Sequence, residues 1–297
     1  MFFKIYKTTI KRILRSPLFW MALIVASVMV FMNANGIVYG NDKQPDFVLA
    51  YHKYHEMISN MMRKSMLYIV PCLCVAAVMA IVTGDYTDNF FEIERAGGVK
   101  SASYFFGRLL GLFTILFTVM FIFSFFSVHY YFFTRGGVAN FTGKPDNFIE
   151  PWPFHTLKEY ILDSTKVILR LVAGCQLPVI ILFTTATYAI GTVLESGVLA
   201  AIGGSIGVVF SYLGALRYQW AFNSTIYRFF LPAKIGPYLY LSRYDTVFAT
   251  EKYTYPNGYN IYLSDTLEDV VMWLAVLLGI SLACIVISYI FTRRRKI

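Results

Sequence analysis

The chain has 297 residues, of which 57% are hydrophobic, 18% aromatic and only 14% charged, and its formal net charge at pH 7 is +9. This balance excludes a soluble domain of the same length, which needs more charged surface. Because the apolar residues come in long blocks, the sequence predicts a polytopic membrane protein. Its positive charge then indicates orientation in the membrane and not nucleic-acid binding.

Six apolar blocks approach or exceed the roughly 20 residues that a helix needs to cross a bilayer. They are Leu18–Val38, Met66–Val82, Phe105–Phe133, Val167–Leu194, Val198–Leu216 and Val270–Phe291. The sequence therefore predicts a single all-α transmembrane domain over residues 1–297. An even number of spans places both termini on the same face of the membrane.

The connecting segments indicate which face this is. Five Lys and Arg residues lie in the N-terminal tail, three in the loop after the second span, and four in the C-terminal tail. The other connections are longer and carry a lower density of basic residues. By the positive-inside rule, both termini and the loop after the second span are cytoplasmic.

Residues 1–16 predict an amphipathic helix that lies on the inner leaflet without crossing it. Its apolar residues recur at helical spacing: Phe3, Tyr6, Ile10, Ile13 and Leu14. Most of its basic residues fall on the opposite side: Lys4, Lys7, Lys11, Arg12 and Arg15. Pro17 then marks a bend into the first span.

The loop at residues 84–104 is a polar insert between the second and third spans. Its middle predicts a short helix that Asp88 caps and that the pair Gly97-Gly98 ends. Phe90, Phe91 and Ile93 have no bilayer to enter, so we expect them on an exposed face. Such a helix at a membrane boundary is typical of a knob that docks into a groove of another protein.

Other polar features carry weaker predictions. Four cysteines lie inside predicted spans and are expected to pack as small apolar groups: Cys72, Cys74, Cys175 and Cys284. His52, His55 and Glu56 form at most half of a metal site in the first outer loop, where a solvated loop is the favoured interpretation. Gln176 and Pro178 interrupt the fourth span and predict a kink or a polar position on a pathway wall.

The fifth span opens with small residues at helical spacing, namely Ala200, Gly203, Gly204, Gly207 and Ser211. Small residues let helix backbones approach closely in lipid, so this face predicts packing on a helix of this chain or of a second copy. The outer segment 217–266 follows. Within it, Ile226–Leu241 is too short and too rich in Pro and Gly to span, which favours a re-entrant or interfacial hairpin before the sixth span.

No catalytic pattern is present in the sequence. The spans contain no paired carboxylates and no Ser/His/Asp set, and the chain lacks the phosphate-binding G-x-x-x-x-G-K-[ST] motif. The sequence therefore predicts a protein that is not an enzyme and binds no cofactor of its own.

In this architecture the chain resembles the membrane subunit of type-2 ATP-binding-cassette (ABC) exporters. The resemblance rests on the N-terminal helix, the six spans, the re-entrant segment and the loop sequence FFEIERAGGVKSASYFFGR. In that family the loop carries Glu and Arg, then Gly-Thr, then a basic residue at the start of the third span. This sequence has Gly98 where Thr is common, lacks the usual Leu-Pro-x-Ser-Arg run after it, and has Arg108 at the basic position.

The resemblance implies that the loop is a coupling helix that seats on a cytosolic ATPase. The implied coupling residues are Phe90, Phe91, Glu92, Glu94, Arg95 and Gly97, with Phe90 and Phe91 filling the groove of the ATPase and Glu94 or Arg95 making polar contacts in it. A second copy or a paralogue of the permease would complete the substrate pathway along the small-residue face. Membrane lipid would surround the two subunits. ATP and Mg²⁺ would be bound by the ATPase.

The expected cargo of such an exporter is a hydrophobic or amphipathic peptide or lipid, because the outer surfaces are aromatic and weakly charged. Two other classes stay open from the sequence. One is an ATP-independent channel or carrier, and the other is a non-transporting membrane sensor or immunity module.

Overall fold

The computed structural model describes residues 1–38, 69–134, 161–162, 165–166, 168–169, 172–220, 253–254, 260–261 and 267–294. Its helices are α1 (Phe2–Arg15), α2 (Pro17–Val38), α3 (Val70–Thr87), α4 (Phe90–Ala96), α5 (Ser101–Thr134), α6 (Leu177–Leu194), α7 (Gly197–Trp220) and α8 (Leu267–Arg294). A π-helical turn, Val172–Gln176, leads into α6. The helical class predicted from the sequence is therefore correct for almost all of the described residues.

The described part of the chain departs from an all-α structure at one place. The two-residue strands β1 (Tyr253–Thr254) and β2 (Asn260–Ile261) pair in antiparallel register, with Tyr253 opposite Ile261. Both strands lie in the segment 217–266 that was predicted as an outer loop.

Among the described residues, four stretches are long and apolar enough to cross a membrane: Val70–Thr87, Ser101–Ser127, Leu177–Leu194 and Leu274–Arg294. The bent pair formed by Phe2–Arg15 and Pro17–Met29 raises the number to five if it is one span, and Gly197–Val209 is a shorter apolar helix. The chain thus has the helices of a membrane protein. Each of the six predicted blocks coincides with a helix over most of its length, whereas six complete spans stay a prediction.

The helix α3 is the centre of the helical core. It contacts α1, α2, α5, α6 and α7. Of its residues 67% are buried, whereas only 17% are buried in the apolar part of α8. A helix that is apolar all round is buried by its neighbours or faces lipid, and α3 and α8 illustrate the two cases. The peripheral α8 packs on α6 and α5 through a polar-lined stripe that includes Ser281, Ser288 and Thr292.

The small residues of α7 pack against helices of the same chain. A Cβ added to Gly204 would lie 2.6 Å from Val75 of α3, and one added to Gly203 would lie 2.8 Å from Ile190 of α6. Ala200 is fully buried. Gly207 faces Phe183 at a looser 3.5 Å, and the side chain of Ser211 lies outside the described residues. These contacts show packing within the chain, and packing of this face on a second copy stays a prediction.

The fourth predicted span changes helix type near Gln176 and Pro178. The turn Val172–Gln176 precedes α6, and Pro178 occupies the first turn of that helix, where its missing N–H removes no hydrogen bond. Gln176 is buried, and its Nε2 donates to the Ser124 Oγ of α5 over 3.4 Å. The π-helical turn runs directly into α6, so the predicted interruption at Gln176 and Pro178 coincides with a change of helix type.

Several predictions fall outside the described residues. These are the His52, His55 and Glu56 group, the hairpin at Ile226–Leu241, and the side chain of Cys175. Of the other cysteines, Cys74 is buried, Cys284 is half-buried and Cys72 is exposed, and all three have free thiols.

Candidate functional site: the loop between α3 and α5

The short helix α4 projects between two long apolar helices. Asn89 precedes it in the left-handed region, with φ of 53°, and Gly97 and Gly98 end it, Gly98 having φ of 80°. The predicted glycine stop is confirmed, whereas the predicted cap at Asp88 is wrong. Asp88 closes the C-terminus of α3 instead, and Asn takes the left-handed position because its short polar side chain tolerates it.

A buried carboxylate lies where α3 enters this loop. Asp85 is 4% exposed, and its Oδ1 accepts from the Nη2 of Arg108 at 2.7 Å and from the Nη1 of Arg12 at 3.0 Å. Arg108 lies on α5 and Arg12 on α1, so one oxygen atom joins three helices. Removing Asp85 would leave the buried Arg108 without its counter-charge in a desolvated site, which is strongly destabilising.

Arg108 makes further contacts that fix its position. Its Nη1 donates to the Thr9 Oγ1 at 3.1 Å, and its Nη2 also reaches the hydroxyl of Tyr104 at 3.2 Å. The Thr9 hydroxyl in turn donates to the carbonyl of Ile5 at 2.8 Å. The guanidinium is only 1% exposed and is therefore a structural part of the α1–α5 contact.

The helix α1 also contacts α4 at both ends. Lys4 pairs with Glu94 at 3.7 Å, and Arg12 approaches the carboxylate of Asp88 at 3.9 Å. The guanidinium of Arg12 lies 4.0 Å from the ring centroid of Phe90. Because α4 is held through both of its ends, its orientation is tied to α1 and to the start of α5.

An apolar cluster lies under α4. It consists of Ile5, Phe91, Val99 and Tyr104. The ring of Phe91, which is 5% exposed, meets Tyr104 edge-on with centroids 5.0 Å apart. The expectation that Phe91 forms part of an exposed knob is therefore wrong, because α1 and α5 supply the apolar cover that the sequence alone does not reveal.

Glycines let α1 approach its neighbours closely. A Cβ on Gly107 would lie 3.0 Å from Ile5, and one on Gly111 would lie 2.8 Å from Thr9. A Cβ on Gly84 of α3 would collide with the guanidinium of Arg12. These three positions form the surface on which the inner face of α1 rests.

The structure corrects the predicted faces of α1. Ile5, Thr9 and Ile13 are buried against the protein, while Phe3 is 73% exposed and Leu14 is also exposed. The sequence pattern grouped Phe3 and Leu14 with Ile13 on one apolar face and placed Arg12 opposite them. The difference arises because a second protein surface, α5, covers part of the helix.

Most of the predicted coupling residues are engaged inside the chain. Phe90 lies under Arg12, Phe91 is buried, and Arg95 lies over the Phe91 ring at 5.5 Å. The side chain of Glu94 is 11% exposed beside Lys4, and Gly97 ends the helix.

Asp88, Glu92 and Ile93 of the predicted coupling loop face outward. Ile93 is 61% exposed, Glu92 is exposed, and Asp88 has a side chain 61% exposed. We call Glu92 and Ile93 of α4, together with Asp88 just before the helix, the outer face of α4. This face presents one apolar side chain beside two carboxylates, a combination that another protein can recognise.

Sequence reasoning missed the roles of Asp85, Thr9 and Arg12. A signal existed, since Asp85 and Arg108 are opposite charges at the facing ends of two apolar runs. No group of three His, Cys, Asp or Glu side chains suited to a metal ion occurs among the described residues.

No family model matches this sequence, and comparison with curated proteins and with solved structures gives no significant match.

Proposed function

We propose that the chain is the permease subunit of an ABC exporter, that it forms a substrate pathway with a second permease subunit, and that cytosolic ATPase subunits drive it through α4. The cargo class that fits best is a hydrophobic or amphipathic peptide or lipid. The observation that carries the proposal is the buried network around Asp85, which joins α1, α3 and α5 at the base of the loop, together with the contacts of α4 with α1 and α5.

A coupling element has to pass a displacement from a soluble partner to the membrane helices. A seven-residue helix on free loops would dissipate such a displacement, since isolated helices this short are not stable on their own. Here α4 is tied to α1 by Lys4 and Arg12, and to α5 by Phe91. A push on α4 is therefore transmitted to α1 and α5 as one body.

The length of α5 supports the same arrangement. Its 34 residues correspond to roughly 50 Å of helix, more than the roughly 30 Å of the hydrocarbon core. The excess leaves one end of α5 outside the core. Arg108 and Tyr104 lie in its first two turns, where a buried ion pair can exist at the membrane boundary without full burial in lipid.

The proposed contact with the ATPase differs from the one expected from the sequence, because several of the expected contact residues are engaged inside the chain. We assign the contact to the outer face of α4, with Ile93 entering an apolar pocket and Asp88 and Glu92 facing basic residues at its rim. Phe90, Phe91, Glu94 and Arg95 act behind this face, because they join α4 to the rest of the chain.

In the proposed cycle, ATP and Mg²⁺ bound by the ATPases bring the two ATPase subunits together. The outer face of α4 moves with the groove of the ATPase in which it sits. The network around Asp85 then carries the cytoplasmic ends of α3 and α5 along with α4. The spans then reopen toward the outside. The permease contributes positioning and a pathway, while nucleotide chemistry takes place in the partner.

The test is affinity purification of the tagged full chain from its native membranes in mild detergent. We expect a nucleotide-binding protein to co-purify in stoichiometric amount and to be lost when Ile93 and Glu92 are both changed to Ala. The matched control is Lys100→Ala, an exposed residue beyond the end of α4. Absence of any nucleotide-binding protein from the unchanged chain would overturn the proposal.

A further inference from the structure

Apart from the pair of Lys4 with Glu94, the outward side of α1 is exposed in the described part of the chain. Four basic residues recur there at positions i, i+3, i+7 and i+11, which places them on one side of the helix: Lys4, Lys7, Lys11 and Arg15. All four are exposed. The remaining basic residue, Arg12, turns the other way to reach Asp85.

Two exposed apolar residues flank this basic stripe. Phe3 is 73% exposed and Leu14 is 39% exposed, and the 11-residue separation brings them to the same edge of the helix. Neither is used by the contacts of α1 with α5. A basic stripe beside an apolar edge is the pattern of a helix that lies at the boundary between head groups and acyl chains.

The direction of α1 fits this location. The axis of α1 is bent by 60° from that of the following helical segment, Pro17–Met29. If that segment runs near the bilayer normal, α1 lies nearer to the membrane plane than to the normal. The indole Nε1 of Trp20 donates to the carbonyl of Leu14 at 2.7 Å and so fixes the corner between the two.

The charge of the stripe selects among lipids. The segment Phe2–Arg15 contains no acidic residue, so no carboxylate on α1 neutralises its exposed cations. Lys4 already pairs with Glu94, which leaves Lys7, Lys11 and Arg15 for an external anion. Spaced basic residues on a membrane surface attract anionic head groups and are indifferent to zwitterionic ones.

We propose that the outward side of α1 is a binding surface for anionic phospholipids, with Lys7, Lys11 and Arg15 contacting the phosphate groups and Phe3 and Leu14 entering the acyl region. This surface is separate from the one on which α1 holds α4. It requires no ATPase partner, so it can be tested whether or not the proposed transport function is correct.

The experiment uses Trp20 as the reporter in the full chain, with Trp152, Trp220 and Trp273 changed to Phe. The protein is reconstituted in phosphatidylcholine nanodiscs that contain an equal fraction of brominated phosphatidylglycerol or brominated phosphatidylcholine, since bromine quenches nearby indole fluorescence. We expect the anionic lipid to quench Trp20 more strongly than phosphatidylcholine does. Its association constant for the site should exceed that of phosphatidylcholine on the order of fivefold. High salt should reduce the difference by screening.

The variant Lys7→Gln/Lys11→Gln/Arg15→Gln should quench equally with both lipids. The control Lys100→Gln/Arg293→Gln/Arg294→Gln removes the same charge from exposed positions elsewhere and should keep the preference of the unchanged chain. Equal quenching by the two lipids in the unchanged protein would overturn the proposal. A preference that survives the triple change on α1 would also overturn it, and the salt dependence of the unchanged chain tests it even if that variant fails to fold.

Discussion

Arg108 and Asp85 form an ion pair of 2.7 Å in which the two side chains are 1% and 4% exposed. The two residues lie on either side of the loop that carries α4, so their contact closes the base of the loop. Arg12, which precedes Asp85 by 73 residues and lies on α1, donates to the same carboxylate oxygen as a second cation. The geometry of the whole site depends on this one carboxylate.

Replacing that carboxylate tests its structural weight. Asp85→Asn leaves the buried guanidinium of Arg108 without a counter-charge and leaves Arg12 with only its longer contact to Asp88, so we expect a loss of about 3 kcal/mol in the free energy of unfolding. The control is Asp88→Asn, whose exposed pair with Arg12 is worth less than about 1 kcal/mol. Reversible unfolding in mixed detergent micelles measures both, and equal effects of the two changes would contradict the assignment.

A double-mutant cycle tests whether Arg108 and Asp85 act as a pair. Arg108→Gln alone removes the cation, and Asp85→Asn alone removes the anion. Each change should therefore lower the free energy of unfolding more than it would if its partner were already neutral. We expect a coupling free energy of about 2 kcal/mol between them. Unfolding measurements on the two single variants and the double variant give this value, and strict additivity would show that the pair makes no net contribution.

The close approach of α1 to α5 predicts a position-specific effect of an added methyl group. Gly111→Ala places a Cβ 2.8 Å from the Cβ of Thr9, so we expect α1 to be displaced at a cost of about 1–3 kcal/mol. Gly279→Ala on α8 is the matched control, because its Cβ would meet nothing within 4 Å. The control should be neutral or stabilising by up to about 1 kcal/mol, as expected for Ala in a helix.

The sequence predicted the apolar helices well because long apolar runs are a local signal, and α3, α5 and α8 needed no information from elsewhere in the chain. The end of α4 was equally local, since Gly98 supplies the left-handed residue that stops a helix. The change of helix type before α6 was also local, since Pro178 marked its position.

The sequence did not predict the inner face of α4 or of α1. An amphipathic pattern shows which residues share a side, but it cannot tell whether lipid or another helix covers that side. Phe91 was therefore expected outside, although Tyr104 and Ile5 enclose it. Arg12 was grouped with the other basic residues opposite the apolar face for the same reason, because its partner Asp85 comes from a distant part of the chain.

The two sides of α4 should respond in opposite ways to truncation. Phe91→Ala removes a buried ring and should lower the free energy of unfolding by about 3 kcal/mol. Ile93→Ala removes an exposed side chain and should change it by less than about 0.5 kcal/mol. Unfolding of both variants in the same detergent decides this, and a large effect of Ile93→Ala would place that side chain in the core of the chain.

The most direct test of the proposed coupling role is site-specific photo-cross-linking in native membranes. A photoreactive amino acid replaces Ile93 on the outer face of α4, and as a control it replaces Leu282, which is exposed on α8. We expect a cross-link from position 93 to a nucleotide-binding protein, none from position 282, and a change in yield when a non-hydrolysable ATP analogue is added. A position-93 probe that captures no nucleotide-binding protein, in membranes where the full chain is intact, would contradict it.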